Sequence, residues 1–381
     1  MGRRILTLAL AVLASLSALA PFASAQAPVE RTAPWSDEVV RLFQTLPVQD
    51  NGRVKPMDTL AGLRMFTLNG KRSLELESGE KLTPSEWLLD VLFYPEQAKT
   101  YPCIRIQNDA ILTLVGLDTN KKKRAWYSHH ELEPARAAIS REANRVFSKA
   151  ERRETLTLVD KQVRDLEIFL RRYESLLGML DPLRVELPTN ATPGLVEIFG
   201  EEPARGAGAI LAHRQAFSML RQNARIDASP DFSAASDVLD TLAGTLGGSH
   251  LTALLFPPPA VDHLEHLKAM GYSWLDEEEW MSLADVVTIG VNATAPDQVE
   301  LVMSLAGMVD ELGNEQAFLG HLRALHGKAE ALAGARGEYD HIEQEVALYA
   351  ISPFHMSLGL FAMAFVVMMI SFTAPKLKVL S

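Results

Sequence analysis

The 381-residue chain contains a single cysteine, Cys103. No internal disulfide can form, and Cys-x-x-Cys redox chemistry and cysteine-based zinc sites are excluded. The sequence also lacks a glycine-rich phosphate loop, a Gly-x-Ser-x-Gly elbow, a His-Glu-x-x-His pair and a Cys-x-x-Cys-His attachment site. These absences remove the commonest enzyme classes and any haem joined covalently to this chain, so catalysis by the chain alone is not expected. Cations are fewer than carboxylates, 37 against 48, which disfavours a nucleic-acid partner and suits either plain solubility or a basic protein partner. Strand signals are scarce. They are confined to residues 48–55, the run Ile104-Arg105-Ile106 and a few shorter stretches.

What is present at the two ends sets the topology. Met1-Gly2-Arg3-Arg4 precedes an apolar run from Ile5 to Ala20 and the small residues Ala23-Ser24-Ala25, the pattern of a secretory signal peptide over 1–25. A membrane-spanning reading of that run is the rival, but the run is short for a bilayer. From Phe354 to Ala374 the chain is apolar, with His355 its only ionisable residue, long enough to cross a hydrocarbon core of about 30 Å. Asp340, Glu343 and Glu345 precede this run and Lys376 and Lys378 follow it, so the tail 376–381 is expected in the cytoplasm and the body outside. Taking Arg3, Arg4, Lys376 and Lys378 from the net charge of -11 leaves -15 for the outward part. The expected organisation is a signal peptide 1–25, an extracytoplasmic body 26–350 with a sub-boundary near 182–190, and a transmembrane helix over 353–375. Ser357, Ala364 and Ser371 recur every seven residues along that helix and would permit close approach of a partner helix.

The expected fold is mainly α, with a small β-hairpin near the N-terminus of the body and one C-terminal transmembrane helix. Asn51-Gly52 favours the positive φ angles of a type I′ turn between the arms 48–50 and 53–55, with Pro56 ending the pairing. Asp58 then serves as N-cap of a helix that stops at Asn69-Gly70. Thr83, Pro84 and Glu86 form a capping box that begins a second helix, with Leu82 stapled onto Trp87. Asp276, Glu279, Leu275 and Trp280 repeat the device, and Ser128 and Glu131 make a third box around His129-His130. Between 134 and 180 the pattern is helical. Its second half carries Val159, Val163, Leu166, Leu170, Tyr173, Leu177 and Leu180 as a seam facing a partner helix, in this chain or in a second copy. A helical hairpin is expected over 297–333, and a last helix over 338–349 before the span.

The candidate reactive groups are few. His263 and His266 share a spacing that suits one helix face or a metal, but no third ligand accompanies them. His355, at the outer end of the membrane helix, is placed to ligate haem iron, bond a partner or sit passively at the interface. Arg53 and Lys55 either bind an anionic group, such as a haem propionate, or pair with Asp50 and Asp58.

The stretch LPVQDNGRVKPMDTLA, residues 46–61, resembles a motif of the extracytoplasmic segment preceding the membrane domain in long-form system II cytochrome c biogenesis proteins, the CcsA/CcsB (ResB/ResC-like) group. Its residues Gln49, Asp50, Asn51, Gly52, Arg53, Lys55, Pro56 and Asp58 carry the match. LTPSEWLLDVLFYPEQ, with Trp87, and YSHHELEP resemble the blocks that follow in that family. The likeness lies within residues 46–134, and the helical remainder matches in layout only. It implies a part in attaching haem to apocytochrome c outside the cytoplasmic membrane. The chain departs from the family in having one membrane span and no Trp-Gly-x-x-Trp-type run. The resemblance therefore implies an accessory subunit beside a CcsA-like membrane protein, with haem supplied through the complex and no intrinsic cofactor. A membrane-anchored structural scaffold without haem contact, dimeric through the 159–180 seam, is the alternative.

Overall fold

The computed structural model describes residues 30–117, 126–246, 254–290, 293–351 and 353–373, the side chains of 353–355 and 373 excepted. The expected signal peptide, the cytoplasmic tail and the side chain of His355 lie outside the described residues. The fold is mainly helical, and the described strands form three short antiparallel pairs in the N-terminal third.

Helix α1 (Asp37–Gln44) leads into the hairpin of β1 (Pro47–Asp50) and β2 (Arg53–Pro56). Asn51 and Gly52 take φ of 54° and 73°, the left-handed pair that a type I′ turn requires. A Cβ on Gly52 would meet nothing within 4 Å, so the backbone angle alone calls for glycine. Pairing runs one residue further than expected, to Pro47 opposite Pro56. Helix α2 (Met57–Asn69) starts directly after it, which corrects the assignment of Asp58 as N-cap. Pro56 occupies the cap position in extended geometry, and Asp58 lies in the first turn. The carboxylate of Asp58 instead accepts from Ser85 Oγ at 2.6 Å and Gln44 Nε2 at 3.4 Å, joining three helices. Gly70 closes α2 at φ 75°.

A second hairpin, β3 (Leu74–Glu75) with β4 (Lys81–Leu82), delivers the chain to α3 (Pro84–Phe93). Both halves of the Thr83–Glu86 capping box are formed there. Trp87 is fully buried and stacks on Tyr173 with ring centroids 6.1 Å apart. Strands β5 (Ile104–Arg105) and β6 (Trp126–Tyr127) pair, and Ser128 and Glu131 form their box at the helix 129–132.

The expected single helical stretch 134–180 is divided into α4 (Arg136–Glu151) and α5 (Leu158–Leu177). Arg153 turns the chain at φ 56°, and Thr157 with Asp160 caps the second helix. The two pack as a hairpin. Val163, Leu166, Leu170, Tyr173, Leu177 and Leu180 are buried and Val159 is half-buried against the core, so the seam is filled within the chain.

Beyond it lie α6 (Arg214–Ile226), α7 (Pro230–Gly244), α8 (Val261–Ala269), α9 (Pro296–Asp310) and α10 (Glu315–Ala335), with shorter helices between. The last two make the expected helical hairpin. No helix forms at Asp276–Trp280, which corrects that capping assignment. The next helix is 283–289, capped by Ser282 and Asp285. One contiguous apolar core extends from Val39 to Ala329. It includes Leu183 and Leu187 and therefore crosses the segment 182–190. The last described elements are α11 (Ile342–Ile351) and α12 (Pro353–Thr373). They carry the one described helical stretch long and apolar enough to cross a membrane, Ile342–Phe372, whose apolar part is α12. Leu358, Phe361 and Phe372 on α12 are 67%, 77% and 77% exposed, the surface of a helix that needs an apolar solvent.

Candidate functional site: the hairpin and the helix before the span

The motif residues converge on one polar junction. Gln49 is buried and every polar group it has is engaged. Its backbone exchanges hydrogen bonds with Leu254 at 3.0 and 3.2 Å. Its side-chain Nε2 donates to the Glu278 carbonyl at 2.7 Å, and its Oε1 accepts from the Trp280 amide at 2.9 Å. One glutamine thus ties the hairpin to a segment about 230 residues away. It also explains the missing helix at 276–280, because it holds backbone groups that a helix would use. Asp276 accepts from the Glu278 amide as a local turn instead. Trp280 is buried and its indole donates to Glu338 at 3.0 Å, a structural placement like that of Trp87.

Asp50 accepts from Lys55 Nζ at 2.9 Å and Arg64 Nη2 at 2.7 Å. Burial works to raise the Asp50 pKa, but these two cations outweigh it and hold the carboxyl below its ordinary value. Lys55 is 6% exposed, so the pairing reading of this lysine is the one realised. Arg53 turns the other way. It bonds Glu345 on α11 at 2.8 Å, and Thr59 donates to the same carboxylate oxygen at 2.7 Å. The expected partner Asp58 is not used. Glu345 therefore receives from both strand β2 and helix α2 and fastens the motif to the helix entering the span.

A second fastening lies alongside. His326 Nε2 sits 2.8 Å from Thr45 Oγ1 and 3.4 Å from the Tyr339 hydroxyl. Burial lowers the His326 pKa against the pull of Glu330 and Glu343. Tyr339 also donates to the Thr45 carbonyl at 3.4 Å.

His129 pairs with Glu174 at 3.2 Å, while His130 is exposed. His263 Nε2 lies 2.7 Å from the Ala293 carbonyl. Among the described residues no three His, Cys, Asp or Glu side chains converge as a metal site. Burial pushes the Cys103 thiol up to about 12, which leaves it an inert core residue. Lys55 is buried against Asp50 and Arg53 is held by Glu345, so both cations are engaged within the chain.

Arg64 and Asp90 were not singled out from the sequence, and Glu345 entered only as a charge flanking the apolar run. Asp90 is fully buried and receives Trp35 Nε1 at 2.8 Å and the Tyr101 hydroxyl at 2.7 Å, with Arg31 at 3.0 Å. It anchors the start of the body. A carboxylate inside the apolar run LLDVLF was its one sequence signal. Nothing local marks Glu345, whose partners lie 286 and 292 positions away.

A separate cleft of about 700 Å³ lies among α6, α7, the segments at 270–272 and 287–290, and Ala293. Phe217, Phe232, Leu242 and Tyr272 line it, and Arg221 and Arg225 stand along one wall. No family model matches the chain, and no curated protein matches it.

Proposed function

We propose that this chain is a membrane-anchored accessory subunit of a cytochrome c assembly complex, acting beside a CcsA-like haem-handling membrane protein. The resemblance of residues 46–134 supplies the biological setting. The observation that carries the reading is the contact of Arg53 and Thr59 with Glu345, which braces the motif hairpin on the helix leading into the candidate span. Asn51 and Gly52 at the hairpin tip remain exposed. A rigid turn is thereby offered at a set height beside whatever shares the membrane with α12. In this reading the body faces outward and either docks apocytochrome or shapes access to haem, and the chain contributes positioning, with no catalytic group. Haem contact is not assigned to Arg53 or Lys55, and His355 is the residue through which it is tested.

Co-purification of the full chain is the experiment. Recovery of a CcsA-like partner or b-type haem absorbance is the expected result, and Arg53→Glu, which repels Glu345, should reduce recovery several-fold. If haem is recovered, His355→Ala should abolish its spectrum. A stable haem-free assembly of this chain alone would overturn the proposal in favour of the scaffold.

The cleft supports a second reading, capture of a small apolar anion, since apolar walls with a few placed charges characterise ligand sites of this volume. Saturable oleate binding that is lost in an Arg221→Gln, Arg225→Gln double variant would favour it.

A further inference from the structure

The contacts between α2 and α11 define a direction. Thr59 on α2 bonds Glu345 on α11. Three residues further on, a Cβ placed on Gly62 would lie 3.6 Å from the Arg72 guanidinium, which itself sits 4.7 Å over the ring of Tyr349. Both helices therefore advance together toward the span. At 1.5 Å per residue, Phe66 lies about 6 Å beyond Gly62, in the direction in which α11 runs toward α12. Phe66 therefore lies toward the end of α11 that leads to α12. It is 53% exposed, and Leu63, one turn back, is 38% exposed.

The groups gathered around this end of α2 form a belt. The Trp126 indole donates to the Asn69 carbonyl at 3.0 Å. Lys71 Nζ lies 4.9 Å and the Arg105 guanidinium 5.8 Å from the Trp126 ring. Among the described residues, Lys71, Arg72 and Arg105 contact rings, not carboxylates. Aromatic rings interleaved with cations at the end of an apolar helix are what a bilayer headgroup layer collects. Four more cations, Lys121 to Arg124, immediately precede Ala125-Trp126 in the sequence. They lie outside the described residues, and the surface is defined without them.

We infer that the body makes a second membrane contact: the C-terminal end of α2, with Phe66 inserted and Lys71, Arg72 and Arg105 on anionic headgroups, rests on the bilayer beside the span. This inference relies on α12 lying in the membrane, and the test separates the two. The full chain is reconstituted in phosphatidylcholine nanodiscs, with and without phosphatidylglycerol, carrying a bimane label on one introduced cysteine. Cys103 is fully buried and stays unlabelled. Label at Phe361→Cys reports the span, and Ile226→Cys, 75% exposed, reports water. Label at Phe66→Cys should be quenched by lipids bearing a nitroxide near the headgroup and shielded from aqueous iodide, and label at Leu63→Cys should show weaker lipid quenching. Phosphatidylglycerol should deepen the Phe66 signal, and Lys71→Gln with Arg72→Gln should remove that gain, at roughly fivefold in apparent affinity per cation.

If position 361 is quenched by lipid while 66 behaves like 226, or meets neither quencher, the inference is overturned and the span stands. Loss of lipid quenching at 361 overturns the span itself. No response to phosphatidylglycerol would overturn the assignment of the cations to headgroups.

Discussion

Helices α5 and α12 are of nearly equal length, 20 and 21 residues, yet they solve opposite solvation problems. On α5 the apolar residues form one stripe that is buried against α3, α4 and the helix 109–115, while charges such as Arg171 and Arg172 cover the rest. On α12 the described side chains are apolar in every direction and all are exposed. A stripe can be satisfied by protein on one side and water on the other. A helix apolar all round, touching little of its own chain, is suited to a surrounding medium without water.

Changes placed on the two helices should separate these roles. The largest effect is expected for Leu170→Asp on α5, which loses a buried side chain and leaves an unpaired charge in the core, costing at least about 4 kcal/mol. Denaturant unfolding of the chain should show it, and the same change on the exposed face of α5 should be nearly silent. Met363→Arg on α12 should leave the body's unfolding midpoint unchanged while costing insertion about 3 kcal/mol. Release of the chain from membranes on alkaline extraction is the readout, and retention at the wild-type level would argue that α12 is not in lipid.

A smaller effect is expected for Thr157→Ala, which removes the hydroxyl that accepts from the Asp160 amide at 3.1 Å. The loss should be about 1 kcal/mol. The smallest is a pH effect at Glu174. Burial works to raise its pKa, and Arg136 and His129 more than offset this, holding it at about 2 against an ordinary 4.5. Because the folded-state value is the lower one, its contribution is complete above 4.5 and is lost as pH falls from there toward about 2. Glu174→Gln should flatten the midpoint-versus-pH curve in that window, because the variant lacks the contribution at neutral pH and approaches the wild type as pH falls toward about 2.

Local devices were readable from residue order. The type I′ turn at Asn51-Gly52, the boxes at Thr83–Glu86 and Ser128–Glu131 and the stop at Gly70 are set by dihedral preference and hydrogen bonds across three or four residues, all of which a short stretch contains. Asp276–Glu279 has the same pattern and no helix, because Gln49 holds the Glu278 carbonyl and the Trp280 amide from far along the chain. The division of 134–180 was missed because residues 152–156 contain neither glycine nor proline. Thr157-x-x-Asp160 was its available signal.

The candidate site was legible only in part. The cations Arg53 and Lys55 stood out, and so did Asp50 as a partner, but Arg64 and Glu345 did not. Lys55 turned inward to Asp50 with Arg64, and Arg53 reached Glu345.

Residue order alone determined that the chain is mainly helical, that a hairpin stands near its start and that its last helix is too apolar for water, since each depends on the periodicity of one segment. Tertiary structure alone decided that the α5 seam is closed inside the chain, that Gln49 overrides a helix start and that the hairpin is braced on the helix before the span. Those outcomes depend on which distant groups compete for the same buried hydrogen bond or apolar face, and no local pattern records that competition.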